Sequence, residues 1–231
     1  MGERTTITTE DGSFGAYVAR PGRSPAPGVV VIQEIFGVNQ VMRDVTDGLA
    51  AQGYLAICPD LFWRIEPGID ITDHSEADWK RAFELFNAFD VEAGVGDIAA
   101  TIAHIRQDAG CNGKVGAVGY CLGGQLAFLT ATRTDADASV SYYGVGLENR
   151  VPEAEKLTRP LLMHIAEEDQ FVPKPAQAVI LSSLKDHPCV EVHTYPGCDH
   201  AFAREGGDHF NAAAAKLANG RTLSFFQKAL G

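Results

Sequence analysis

The run Gly119-Tyr120-Cys121-Leu122-Gly123-Gly124 sets a potential nucleophile between glycines two positions away on either side. It follows the apolar run 114–118 and precedes residues 125–131, a pattern that predicts a sharp turn from a buried strand into a helix. Such a turn holds its central residue in a strained backbone conformation, and side chains two positions away would collide. Gly119 and Gly123 remove that collision. Cys121 then stands at a helix N-terminus, where unpaired N–H groups and the helix dipole favour a thiolate. The Leu122 N–H becomes an oxyanion donor. Taken alone, the pattern equally suits a glycine-rich turn with an incidental buried cysteine.

A thiol nucleophile needs a base and a group to orient that base, and two later stretches offer them. Residues 160–165 read as a strand ending at Ala166-Glu167-Glu168-Asp169, and residues 190–195 as another ending at Pro196-Gly197-Cys198-Asp199-His200. His200 would take the thiol proton and return it to a leaving group while Asp169 orients the imidazole. Glu34 ends a further strand, residues 28–32. All four residues stand where open parallel sheets assemble their sites, beyond the carboxyl ends of strands. The order nucleophile, acid, histidine is that of the α/β-hydrolases, whose elbow usually carries serine. Each position has competitors: Glu167 and Glu168 for Asp169, and His74, His104, His164, His187, His193 and His209 for His200. His164, inside an apolar strand, reads as a satisfied core histidine. His193 with Cys198, Asp199 and His200 matches no usual zinc spacing.

The elements that must position these groups follow from periodicity. Residues 5–20 alternate around Asp11-Gly12 as an edge β-hairpin. Further strands are predicted at 28–32, 54–58, 114–118, 138–144, 160–165 and 190–195. They alternate with helices over 42–52, 76–89, 91–109, 125–131, 173–186 and 208–230. This alternation predicts an α/β fold of the α/β-hydrolase type, a mainly parallel central sheet with helices on both faces, in one domain over residues 1–231. Residues 62–72 read as an exposed excursion. Trp79, Phe83, Phe86 and Phe89 recur at helical spacing, for which core packing is the default and a pocket wall is compatible.

At this point the chain resembles the dienelactone hydrolase (carboxymethylenebutenolidase) family. The cysteine elbow, Gln33-Glu34-Ile35-Phe36-Gly37-Val38-Asn39 and Tyr142-Tyr143-Gly144-Val145-Gly146 carry the resemblance. Ala88-Phe89-Asp90-Val91-Glu92-Ala93-Gly94-Val95-Gly96-Asp97 and His200-Ala201-Phe202-Ala203-Arg204 extend it over nearly the whole chain. The resemblance implies hydrolysis of an enol-lactone in the aerobic breakdown of aromatic compounds, through a Cys121–His200–Asp169 triad and an acyl-enzyme. It implies that Glu34 helps keep the resting thiol neutral and, with Arg204, takes part in its deprotonation when substrate arrives. It places the Ile35 N–H beside that of Leu122 in the oxyanion hole.

The candidate substrate-binding residues are Phe36, Trp79, Arg81, Phe83, Tyr142 and Arg204. Here the chain departs from the family, which carries a second arginine, a tyrosine and a tryptophan on the aromatic helix. Trp79, Phe83 and Phe86 stand at those positions in an ungapped alignment, and Ala201 replaces a serine. Lys80 or Arg81 would reach the site only if the helix register shifts. A charge-assisted hydrogen bond contributes roughly 1.5–3 kcal/mol, so losing one weakens carboxylate binding by about one to two decades. A broader carboxylesterase or thioesterase for neutral activated esters is therefore the alternative within enzymes, and a thiol-sensing or binding protein on the same fold the alternative outside them.

Composition narrows the partners. A net charge of −11 argues against nucleic acid, and no apolar run approaches a membrane span. Met1-Gly2-Glu3-Arg4-Thr5-Thr6 opens in polar residues, unlike a secretory leader, and carries only a fragment of a myristoylation signal. Cys58, Cys111, Cys121, Cys189 and Cys198, an odd set without close pairs, suit a reducing cytoplasm. The expectation is a cytoplasmic monomer with a small-molecule lactone or ester substrate and no cofactor: the chain has no dinucleotide-binding fingerprint and no metal cluster in its spacing.

Overall fold

A computed structural model describes residues 2–231; Met1, where the leader and myristoylation readings begin, lies outside the described residues. The chain divides into two compact units, Met1–Ala117 and Val118–Gly231.

In the first unit, β1 (Glu3–Thr9) and β2 (Gly12–Ala19) form the expected antiparallel hairpin, with Ile7 opposite Phe14 on its buried face. β2 pairs antiparallel with β4 (Leu55–Pro59), and β4 pairs parallel with β3 (Ala26–Ile32). β3 starts two residues before its apolar run because the Ala26 N–H already bonds the Gly110 carbonyl at 2.8 Å. Successive strand residues face opposite sides, and Val29, Val30, Val31 and Ile32 are all buried, so β3 is covered on both faces. α1 (Gln40–Ala51) packs on β2, β3 and β4, and α3 (Val91–Arg106) on β1, β3 and β4. Side-chain caps fix where the helices begin. Asn39 Oδ1 accepts the Met42 N–H, and Asp90 Oδ1 those of Glu92 and Ala93.

Two expectations for this unit need correction. The aromatic residues of α2 (Glu76–Ala88) do not form its core face. Ala82 and Leu85 are buried there, whereas Trp79 and Phe86 are half-buried and Phe83 is 41% exposed, because the aromatics run along the adjoining stripe. The excursion at 62–72 is not wholly exposed. Asp60 accepts the N–H groups of Phe62 and Gly68, and Phe62 and Ile69 are buried beneath the segment.

The second unit holds the end of β5 (Cys111–Tyr120), then β6 (Ala138–Tyr142), β7 (Leu161–Ala166) and β8 (Val190–Tyr195). β7 pairs parallel with both β6 and β8. The sheet order is β1-β2-β4-β3-β5-β6-β7-β8, antiparallel where β2 meets β1 and β4 and parallel where β3 meets β4 and β7 meets β6 and β8. Every residue of β6 and β7 is buried, whereas β8, the last strand, is partly exposed. α4 (Leu122–Arg133) is buried from Leu122 to Thr132, with the Thr130 hydroxyl turned back onto the Leu126 carbonyl. α5 (Lys174–Leu184) packs on β8, and α6 (Ala212–Leu230) on β6 and β7. α6 begins four residues later than expected: residues 208 and 209 form a turn, and Asn211 caps the helix through the Ala214 N–H. Among the described residues no helix is long and apolar enough to cross a membrane.

Candidate active site

Cys121 sits between β5 and α4 with φ 57° and ψ −116°, the strained conformation expected of the turn. A Cβ on Gly119 would lie 1.8 Å from the Gly123 carbonyl oxygen, and one on Gly124 would lie 2.4 Å from that of Tyr142. Only glycine fits either place. The Cys121 N–H bonds the Tyr142 carbonyl at 3.1 Å, tying the elbow to the end of β6. Among the described residues, left-handed φ values outside glycine occur at Cys121, Tyr143 and Ala201 alone. Strain is thus concentrated at the thiol, at the residue after β6 and at the neighbour of His200.

His200 and Asp169 meet in this unit. Both Asp169 oxygens face His200 Nδ1, at 3.0 and 2.9 Å, and both residues are buried. Asp169 Oδ1 also accepts the N–H groups of Phe171 (2.8 Å) and Val172 (3.0 Å), so its carboxylate is fixed before the imidazole is counted. The competing acids are occupied elsewhere or lack this geometry: Glu168 pairs with Lys174 at the surface, and Glu167 offers its carbonyl to Gln177. His200 Nε2 is buried without a hydrogen-bond partner of ordinary geometry, and the Cys121 sulfur is among the groups that act on the imidazole. Burial by itself would lower the His200 pKa. The charge of Cys121, the hydrogen bonds to Asp169 and Cys121 and the charge of Asp169 outweigh it and raise the pKa to about 10. The arrangement therefore favours a protonated imidazole at His200.

The loop bearing the acid and the loop bearing the histidine are stitched together. Asp199 Oδ1 accepts the N–H of Gln170 at 3.0 Å and that of His200 at 2.6 Å, and the Glu168 N–H bonds the Cys198 carbonyl. Tyr143 and Phe171 set their rings edge-on to the imidazole, with centroids at 5.0 and 4.9 Å. The sequence reading missed Asp199, Tyr143 and Phe171 as positioning groups. Tyr143 lies within the run Tyr142-Tyr143-Gly144-Val145-Gly146, and Phe171 has no signal in the sequence. Arg204 is buried in the turn that follows His200.

Tyr142, expected at the substrate, requires correction. It is fully buried, with its hydroxyl bonded to Thr222 (2.7 Å) and Asn219 (3.0 Å) of α6 and its ring 4.7 Å from that of Tyr120. His164 is the satisfied core histidine expected: Nδ1 meets the Tyr195 hydroxyl, Nε2 meets the Thr222 hydroxyl, and burial holds its pKa well below the usual value.

In the first unit, Glu34 and Ile35 follow the end of β3, both buried. Gln33 accepts the Leu61 N–H, and Gly37 at φ 77° passes so close to Ile69 that a Cβ would lie 2.0 Å from its carbonyl oxygen. Phe36, Trp79 and Phe83 form an aromatic row, with Phe36 edge-on to Trp79 at 5.1 Å and Trp79 stacked on Phe83 at 5.6 Å. Arg81 does not join it. Its guanidinium is held at the surface by Glu66 and Glu84, and Lys80 is exposed.

A mostly parallel eight-stranded sheet, with a strained cysteine turn after β5 and a paired acid and histidine after β7 and β8, defines the fold of an α/β-hydrolase. The sequence model of the dienelactone hydrolase family matches residues 14–230. An Azospirillum brasilense protein provisionally named carboxymethylenebutenolidase is 56% identical over 96% of both chains. The carboxymethylenebutenolidase of Pseudomonas putida is 45% identical over 96% of this chain and 95% of its own. A crystal structure of a Klebsiella pneumoniae protein, provisionally assigned as a dienelactone hydrolase, superposes with a TM-score of 0.87 over 99% of this chain and 98% of that one, at 27% identity. The chain belongs to the dienelactone hydrolase family, and with it to the carboxylic ester hydrolases.

Proposed function

We propose that this chain hydrolyses a dienelactone-type enol-lactone through a thioester on Cys121. The observation that carries the reading is the buried Asp169–His200 pair, whose imidazole is raised to about 10 chiefly by the charge of the Cys121 sulfur, against the lowering effect of burial. In the proposed reaction the thiolate adds to the lactone carbonyl, and the Leu122 N–H at the start of α4 stabilises the oxyanion. The acyl C–O bond breaks, the enol oxygen takes the proton from His200, and the opened chain remains as a thioester. His200 then removes a proton from water as it attacks, and Cys121 departs. A thiol suits an enol leaving group, which needs little protonation to depart.

The roles proposed for Glu34, with Arg204 as its partner in activating the thiol, and for Ile35 as a second oxyanion donor rest on the family resemblance. Glu34→Gln tests the first of these: a kcat loss that spares KM supports thiol activation. For substrate binding, the apolar row of Phe36, Trp79 and Phe83 supports a lactone whose body is more apolar than that of a doubly anchored carboxylate. The five free cysteines support a reducing compartment such as the cytoplasm, and aromatic catabolism is the proposed setting.

Rapid acid quench of an aryl ester turnover, followed by peptide mass mapping, tests the covalent step. The acyl mass should appear on the peptide containing Cys121 and vanish in Cys121→Ser hydrolysing at a residual rate. An adduct on any other cysteine contradicts the mechanism.

A further inference from the structure

Asp169 and His200 follow the carboxyl ends of β7 and β8. At the amino ends of the same strands, α6 borders a groove of about 1000 Å3, large for a small-molecule site. α6 is apolar on two faces. Ala218, Phe226 and Leu230 are buried in the core, while Leu217, Arg221 and Phe225 form a ridge at i, i+4 spacing along the groove. Leu217 is 50% exposed. Leu161 and Val190 line the strand side, between Pro160 and Pro188.

The charge on this groove is the reverse of the molecule's. The chain has 30 acidic and 19 basic residues, yet Lys216, Arg221 and Lys228 line the groove, and among the described residues no carboxylate pairs with any of them. Glu191, the acid on its wall, is engaged by His193 at 2.6 Å. Arg221 Nη1 donates to the Tyr195 hydroxyl at 3.1 Å, which fixes the guanidinium and leaves its other donors for a ligand. One turn to either side of that guanidinium stands an apolar side chain, Leu217 or Phe225.

We propose that this groove binds a free amphipathic carboxylate, its acid group on Arg221 and its apolar chain along Leu217 or Phe225. The site is separate from the hydrolytic one and needs no chemistry. An extended peptide is a poorer occupant, because Pro160 and Pro188 offer no N–H and the groove meets β8 only at Val190 and Glu191. A second copy docking symmetrically would bring the same cations face to face. An anionic membrane would be repelled by a net charge of −11.

Calorimetric titration of the full chain with sodium decanoate, kept below its micelle concentration, tests the proposal. One site is expected. Decyltrimethylammonium, with the same tail and the opposite charge, should bind at least about tenfold more weakly, and Arg221→Gln should weaken decanoate by about tenfold. Leu217→Glu, a change at an exposed position, should abolish binding and keeps the test decisive if Arg221→Gln unfolds. Both variants should hydrolyse a neutral aryl acetate at the wild-type kcat/KM. The proposal is overturned if decanoate produces no binding heat, if the cationic amphiphile binds equally well, or if Leu217→Glu binds decanoate as wild type does. Sedimentation with phosphatidylglycerol vesicles without decanoate binding would assign the face to a membrane and overturn it too.

Discussion

At the scale of single residues, the account turns on one proton. His200 is buried, which alone would drive its pKa down, yet the Cys121 charge and the Asp169 contacts lift it to about 10. An NMR titration of its imidazole should therefore show a midpoint near 10. In Cys121→Ala, which removes the largest raising cause, the midpoint should fall, and an unchanged midpoint would detach the thiol from the histidine. The stability sign follows from the same shift. A folded pKa above the unfolded 6.5 means that the stabilisation from His200 is complete below about pH 6.5 and lost as pH rises through about 10. The unfolding free-energy difference between wild type and His200→Asn should accordingly shrink between pH 6 and pH 10. Arg204 is the other residue with a directed expectation: Arg204→Ala should reduce kcat/KM for carboxylate-bearing lactones by about tenfold or more relative to neutral esters. Equal losses on both would assign Arg204 to thiol activation instead. The pairing of Asp169 with His200 and the strained turn at Cys121 were legible in the sequence because each residue follows a predicted strand by a short turn. Tyr142 was misread because the residue after a motif strand and the last residue within it look alike in sequence. Only the register shows that Tyr142 points its hydroxyl to Thr222 while Tyr143 meets His200.

At the scale of elements, the elbow depends on an absence of side chains. Gly119→Ala would place a methyl group 1.8 Å from a backbone oxygen that cannot move without dismantling the start of α4. It should cost about 3 kcal/mol or more in urea unfolding. A change below about 1 kcal/mol would mean that the turn is looser than described. On α2, the aromatic stripe and the charged stripe predict opposite outcomes. Arg81→Gln, which breaks only surface pairs with Glu66 and Glu84, should change kcat/KM less than about twofold. Trp79→Arg should shift preference toward a carboxylate-bearing lactone, read as the ratio of kcat/KM on charged and neutral substrates. An unchanged ratio would separate α2 from specificity. Helix starts were misjudged by two residues at α1 and four at α6, since the side-chain caps Asn39 and Asn211 decide them and hydrophobic periodicity does not register a cap. The aromatic face of α2 was misjudged for a related reason. Helical spacing says which residues share a stripe and leaves open which stripe is buried.

At the scale of the whole molecule, sheet order and chain order together define the α/β-hydrolase fold. Strands with both faces buried and an antiparallel hairpin at one end are readable from alternation and composition. The groove beside α6 was not, because two apolar faces on one helix blur into a single weak periodicity. The central claim is that Cys121 is the nucleophile of a lactone hydrolase. It is tested most directly by kcat/KM of wild type and Cys121→Ala on cis- and trans-dienelactone, with a neutral aryl acetate alongside. The account predicts that the lactones are turned over orders of magnitude faster than the acetate by wild type, and that Cys121→Ala, still folded, is inactive on all three. A folded Cys121→Ala that keeps most of its lactone rate would contradict it.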